Sequence, residues 1–209
     1  MQRITLKVCL TIAVLVGISR CQNQKITYPI GAPEISSDFR SRIGINGGRR
    51  NQIHQGIDII GSEGQEILAT ADGTVLEATV ERCWGPTIAI DHGKGKDGKK
   101  IVALYGHLGQ MLVSEGDKVK RGQLIAHLGN NQNDFRCIWG VRHLHFQIGR
   151  KYREKSFKGN SWGWGYFLKD GAKSANPHIY WANGRNKITC FDENKIYKSG
   201  TLTYPVPCG

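Results

Sequence analysis

The clearest indication of the fold is the stretch Ile67-Leu-Ala-Thr-Ala-Asp-Gly-Thr-Val-Leu-Glu-Ala-Thr-Val80. Two runs of apolar and β-branched residues flank Asp72-Gly73, a dipeptide that favours the type I′ turn of a tight hairpin. We therefore predict that residues 67–71 and 74–80 form a β-hairpin.

Further runs of the same kind follow along the chain. They are Thr87 to Asp91, Lys100 to Leu108, Leu124 to Leu128 and His143 to Ile148. No segment keeps a 3.6-residue apolar period over three turns, so long helices are not expected. The pattern predicts an all-β, antiparallel β-sandwich or barrel-like domain over residues 26–150. Residues 151–209 are expected to be a loop followed by a disulfide-stapled C-terminal extension that packs on this domain.

Composition and charge narrow the class of protein. Of the 209 residues, 39% are hydrophobic and 22% are charged, which excludes a disordered, collagen-like or polytopic membrane protein. Lys and Arg exceed Asp and Glu by 12. This excess indicates an acidic partner or surface, and charge alone leaves nucleic acid and an anionic cell envelope both open.

The first twenty residues are typical of a secretory signal peptide. Arg3 and Lys7 introduce a mainly apolar run, residues 8–18, which is shorter than the ~20 residues of a membrane span. We predict that residues 1–20 are removed on export, which leaves a charge of +9. Cys21 is a candidate site for a lipid anchor, although Arg20 stands before it where a small residue is expected. No second apolar run suggests a transmembrane segment.

Export makes disulfides feasible. Apart from Cys9 and Cys21, four cysteines remain, and three pairings are possible. We favour Cys83 with Cys137 and Cys190 with Cys208. The chain has no Cys-x-x-Cys spacing, which disfavours a thiolate metal site.

Three short patterns of histidine carry the candidate chemistry. They are His54-Gln-Gly-Ile-Asp58, Tyr105-Gly-His107 and His143-Leu-His145. Residues two or four apart on a strand share a face, and Gly56 permits a bend that would bring His54 to Asp58. Two imidazoles and one carboxylate form a zinc set with one position open for water, and a further histidine can act as a base. Spacing alone does not decide which histidine has which role.

At this point the chain resembles the lysostaphin/LytM-type zinc metallopeptidases. The resemblance covers about residues 27–150 and rests on motifs in the family's order: Ser36 to Arg40, His54 to Asp58, Ala71 to Val75, Tyr105 to Leu108, Val113 to Gln123 and His143 to Phe146. It implies a groove-bearing β-sandwich of the duplicated hybrid motif type that cleaves peptide bonds in bacterial peptidoglycan. It also implies Zn²⁺ as cofactor, held by His54, Asp58 and His145. His107 and His143 would be the catalytic residues beside the activated water.

Two features depart from the family's usual form. The segment from Gly129 to Arg142 is longer than usual and contains Cys137, and it leads into the expected groove. Gln147 stands where Glu is more common, which keeps a polar contact and removes a charge. The first departure bears on substrate preference. We assign no functional role to the remaining histidines, His92, His127 and His178.

The leading interpretation is a zinc endopeptidase exported to the periplasm or cell envelope of a bacterium, with peptidoglycan as its partner. The alternative is a non-catalytic envelope-binding or regulatory module of the same fold. A carrier domain is a weaker option. Val113 to Ala126 resembles a biotinyl or lipoyl hairpin, but carrier domains lack this set of histidines and Asp58. Export and the lack of a nucleic-acid motif argue against DNA binding.

Overall fold

A computed structural model describes residues 25–152 and 174–209. The predicted signal peptide at residues 1–20, Cys21, and the aromatic run from Trp162 to Tyr166 lie outside the described residues. Within those residues, nine β-strands and two short 3-10 turns form the fold, and no helix is long and apolar enough to span a membrane.

The strands form two sheets in which neighbours pair antiparallel, as predicted. The seven-stranded sheet has the order β1-β2-β9-β6-β5-β4-β7, and β3 pairs with β8. The bounds are β1 Ile35–Ser37, β2 Gly56–Ile60, β3 Glu66–Leu68, β4 Gly73–Glu81, β5 Gly85–Lys94, β6 Lys100–Gly106, β7 Lys118–Val119, β8 Leu124–His127 and β9 His143–Gly149. The 3-10 turns are Arg136–Ile138 and Pro177–Ile179.

Alternation along β9 separates the core from the functional face. Leu144, Phe146 and Ile148 are buried in the main apolar core, whereas His143, His145 and Gln147 point to the opposite face. Both faces of the strand are covered, which is why every residue from His143 to Gly149 is buried.

The predicted hairpin over residues 67–80 is wrong. β3 pairs with β8, and β4 pairs with β5 and β7, so Asp72-Gly73 connects two sheets. The Asp72 carboxylate accepts hydrogen bonds from the Arg121 backbone N–H and the Lys120 ammonium group. These long-range partners, together with burial of Ile67 in the core, outweigh the local preference for a tight turn.

The segment 174–209 packs into the same core as the sheets. Tyr180, Trp181, Leu202 and Tyr204 are fully buried there. Both favoured disulfides are present, with Cα–Cα distances of 5.1 Å for Cys83–Cys137 and 5.9 Å for Cys190–Cys208. The second disulfide closes this segment on itself.

Candidate metal centre

The pairing of β2 with β9 brings together residues that are 87 positions apart in the chain. Asp58 lies directly opposite His145 in the antiparallel register, so both side chains are on one face. His54 precedes β2 at a bend and approaches Asp58 from the same side. The structure thus brings together His54, Asp58 and His145, with one ligand atom of each within 4.8 Å of the others.

The three inward atoms form a compact triangle. Asp58 Oδ1 lies 3.1 Å from His54 Nε2 and 2.8 Å from His145 Nδ1. The two nitrogens are 3.1 Å apart. Zinc–ligand bonds of 2.0–2.1 Å in a tetrahedron separate the ligand atoms by about 3.3 Å. A small outward shift of these side chains would therefore admit the ion.

Each of the three side chains is oriented by a second partner. His54 Nδ1 lies 3.0 Å from the Asp38 carbonyl oxygen, and His145 Nε2 lies 3.1 Å from Gln147 Oε1. These acceptors hold protons on the outer nitrogens, which leaves a lone pair on each inner nitrogen. The guanidinium of Arg50 donates to Asp58 Oδ2 at 2.6 Å, which leaves Oδ1 to face the imidazoles.

The electrostatics of this cluster suit a cation. Burial alone would raise the pKa of Asp58, but its contacts with His145 and His54 outweigh burial and hold the pKa well below its usual range. Burial lowers the pKa of His54 in spite of the neighbouring Asp58. One carboxylate and two nitrogen lone pairs converge on one point, so a bound cation would relieve their repulsion. This donor set fits zinc.

His107 and His143 stand together beside the triangle, with ring centroids 4.7 Å apart. His143 Nδ1 donates to the Val141 carbonyl at 2.6 Å, and His107 Nδ1 donates to the Trp84 carbonyl at 2.9 Å. Burial lowers the pKa of both rings, and for His107 the neighbouring His143 and His145 add to the effect. The carbonyl partners place the proton of each ring on Nδ1, and burial disfavours a second proton on Nε2.

The backbone at His107 is also unusual. Its φ is 66°, a left-handed conformation that costs free energy for a residue with a side chain. The Leu108 N–H donates to the Pro86 carbonyl at 2.9 Å, which fixes this bend at the end of β6. Such a conformation persists only where surrounding contacts hold it.

The cluster lines a cleft of about 390 Å³. One wall is the loop of residues 44–55, which includes Arg49 and Arg50. Trp84, Cys137 and Trp139 also line the cleft. Trp139 is 64% exposed, so a large aromatic surface lies at the rim of the cleft. The cleft combines cationic with aromatic groups.

The sequence assigns no role to several residues of this centre, although Asp38 lies within the motif from Ser36 to Arg40. Asp38, Arg50 and Trp84 touch the histidines or Asp58 only because the sheet and loops bring them there. His178 is also buried and contacts the Asp38 carboxylate. An arginine four residues before His54 gives no hint that it pairs with Asp58.

The remaining histidines lie away from the triangle. His92 contacts the Asp72 carbonyl and the Tyr105 hydroxyl group. His127 ends β8 in the two-stranded sheet. Neither belongs to the metal-binding group found among residues 25–152 and 174–209.

Comparison with known proteins identifies a family. The model of peptidase family M23 matches residues 52–157, a range that includes all five candidate site residues. The chain is 39% identical over 100 residues to a lipoprotein NlpD/LppB homolog of Pseudomonas aeruginosa. This match covers 47% of this chain and 30% of the relative. It is also 39% identical over 104 residues to the murein hydrolase activator NlpD of Escherichia coli. This second match covers 49% of this chain and 24% of the relative.

The chain spans less than a third of the length of these relatives. Among solved structures, the catalytic domain of the antimicrobial peptidase lysostaphin from Staphylococcus simulans superposes with a TM-score of 0.43. The two chains are 26% identical, and the match covers 69% of this chain and 86% of the other.

Proposed function

Because this chain belongs to peptidase family M23, we propose that it is a zinc-dependent endopeptidase that hydrolyses peptide bonds in bacterial peptidoglycan. The observation that carries the proposal is the triangle of His54, Asp58 and His145, each with an outer partner that leaves one electron pair directed inward. We further propose that the protein acts in the cell envelope, as the lipoprotein name of one relative suggests.

In the proposed reaction, His54, Asp58 and His145 hold zinc, which when bound supplies a Lewis acid that activates water and polarises a carbonyl. His107 and His143, with their Nδ1 protons held by backbone carbonyls, would present unprotonated Nε2 atoms beside this position. Either can accept a proton from water and later return it to the departing amine. The same rings, once protonated, would stabilise the negative oxygen of the tetrahedral state. The cleft would orient the peptide between the 44–55 loop and the tryptophans.

A digestion assay tests the proposal directly. Purified protein should release new amino groups from peptidoglycan, lose this activity with a chelator and regain it with Zn²⁺. His145→Ala should abolish activity, whereas His127→Ala on β8 is the matched control and should retain it. Full activity of His145→Ala would refute the assigned ligand set.

A second candidate function has one observation in its favour. Relatives from Escherichia coli bear the names murein hydrolase activator NlpD and murein hydrolase activator EnvC. The alternative is therefore a non-catalytic module that stimulates another hydrolase. A protein that retains no stoichiometric zinc, releases no amines alone and raises the activity of a murein hydrolase would favour this alternative.

A further inference from the structure

Trp84 connects the Cys83–Cys137 disulfide to His107. We propose that this disulfide and Trp84 are positioning elements that hold His107 in its reactive orientation and tautomer. The inference rests on the proposed function in one respect, because His107 is treated there as a proton-transfer group. Its structural part stands on contacts that can be measured without catalysis.

Trp84 touches the site with both its backbone and its ring. Its carbonyl oxygen accepts the His107 Nδ1 proton at 2.9 Å. Its ring lies 5.1 Å from the His107 ring and 4.8 Å from the His145 ring, centroid to centroid. It also packs against Gly106, where an added Cβ would lie 2.9 Å from the indole. Displacement of Trp84 would therefore release one face of His107 and its Nδ1 partner together.

Trp84 itself sits in the turn between β4 and β5, and two restraints hold that turn. Glu81 Oε2 accepts hydrogen bonds from the N–H groups of Cys83 and Trp84, at 2.7 and 2.9 Å. The disulfide joins Cys83 to Cys137, and the Cys137 N–H donates to the Cys83 carbonyl at 2.9 Å. The position of the Trp84 carbonyl is thus set by one carboxylate and one covalent crosslink.

The far side of the crosslink is anchored to the domain. Ile138, next to Cys137, is buried, and Asn131 donates to the Leu108 carbonyl at 2.8 Å. Arg142 donates to the Gly129 carbonyl at 2.7 Å. The crosslink therefore ties a half-buried turn to a loop with its own fixed points, across 54 residues of chain.

His107 needs such support because its left-handed backbone is intrinsically unfavourable. A crosslink restricts the conformations of the segments that it joins. Without it, the turn would gain freedom and the Trp84 carbonyl would no longer stay within hydrogen-bond distance of Nδ1. The proton could then move to Nε2, the atom that must stay unprotonated to accept a proton from water.

The second disulfide provides a matched control. Replacement of Cys190 and Cys208 by serine also removes one disulfide, but neither residue lines the cleft described above. The test compares Cys83→Ser/Cys137→Ser with Cys190→Ser/Cys208→Ser in the full protein. Long-range ¹H–¹⁵N spectra of the histidine rings report the tautomer of His107, and chelator competition reports zinc affinity.

We expect the wild type and the control to show His107 protonated on Nδ1 alone. In Cys83→Ser/Cys137→Ser, we expect a mixture of tautomers, zinc affinity within about threefold, and kcat lowered about tenfold with little change in KM. Should the variant fail to fold, Glu81→Ala is the second probe, because it leaves the disulfide in place. Glu81→Ala should shift the tautomer in the same direction, and Glu81→Gln, which retains an acceptor oxygen, should restore it.

A folded Cys83→Ser/Cys137→Ser variant with an unchanged His107 tautomer would overturn the inference, as would an equal effect of the control pair. An unchanged tautomer in Glu81→Ala would overturn it where the first variant does not fold. If the wild type hydrolyses nothing, the proposed function fails, yet the tautomer measurement still decides whether Trp84 is held by the disulfide.

Discussion

His178 donates from Nε2 to Asp38 Oδ1 over 2.8 Å, although 140 residues separate the two in sequence. The other ring nitrogen accepts from the indole N–H of Trp181 at 2.9 Å. The backbone carbonyl of Asp38 in turn accepts from His54 Nδ1. A chain of hydrogen bonds therefore runs from the C-terminal segment to a candidate zinc ligand.

We predict that His178→Ala weakens zinc binding. Loss of a group that directly orients a ligand costs 10–100-fold in affinity, and His178 acts one step further away through Asp38. The expected loss is about threefold to tenfold, measured by competition with a fluorescent chelator. His127→Ala is the control and should bind zinc like the wild type. Equal affinities of His178→Ala and the control would contradict this role.

Gln147 is the direct partner of His145, so we expect a larger effect there. Gln147→Ala removes the acceptor at Nε2 and should lower zinc affinity about 10–100-fold. Gln147→Glu keeps the acceptor and should retain most of the affinity. Gln55→Ala, which removes only the outer partner of Gln147, should have a smaller effect. The prediction fails if Gln147→Ala and Gln55→Ala bind zinc equally well.

Gly56 is required by the close approach of β2 to β9. A Cβ at this position would lie 2.4 Å from the Phe146 carbonyl oxygen and 2.9 Å from His145 Nε2. Gly56→Ala should lower the free energy of unfolding by about 1–3 kcal/mol. In Gly48→Ala the nearest neighbour is the Asn46 side chain, and the change should stay within about 0.5 kcal/mol. Urea denaturation distinguishes these outcomes.

Protonation of His92 should cause a specific loss of stability in mild acid. Burial lowers its pKa from 6.5 to about 4. Below pH 6.5 the unfolded chain binds a proton at His92 that the folded chain does not bind until about pH 4. The free energy of unfolding therefore decreases as the pH falls from 6.5 to 4. His92→Gln cannot titrate and should flatten this part of the curve by up to about 3 kcal/mol. Denaturant melts at pH 4, 5, 6 and 8 test it, and parallel curves for the two proteins would rule it out.

Trp139 is expected to act in substrate binding. It is exposed, lies at the rim of the cleft and has a φ of 63°, and an exposed aromatic ring offers a stacking surface to a substrate. Trp139→Ala should raise KM for soluble peptidoglycan fragments about fivefold to tenfold with kcat nearly unchanged. The kinetics should be measured beside zinc content, since an effect on kcat alone would place Trp139 in a different role.

Much of the fold can be predicted from local pattern. The apolar run from Lys100 to Leu108 and the alternation from His143 to Ile148 match β6 and β9, and both disulfides follow the favoured pairing. The hairpin over residues 67–80 is the main error. Its turn residues are compatible with a tight turn, but β3 pairs instead with β8, where Ile67, Ile125 and Ala126 are buried in the core.

The sequence by itself determined the all-β class, because side-chain alternation is a local property, and the family resemblance nominated His54, Asp58 and His145 as candidate zinc ligands. Tertiary structure decided which side chains orient them. Three sets of contacts join segments up to 140 residues apart. They are the hydrogen bond of Arg50 to Asp58, that of His107 to the Trp84 carbonyl, and the chain Trp181–His178–Asp38 behind His54. Such contacts depend on strand register and loop packing, since a hydrogen bond needs its atoms within about 3 Å and no local pattern specifies that separation.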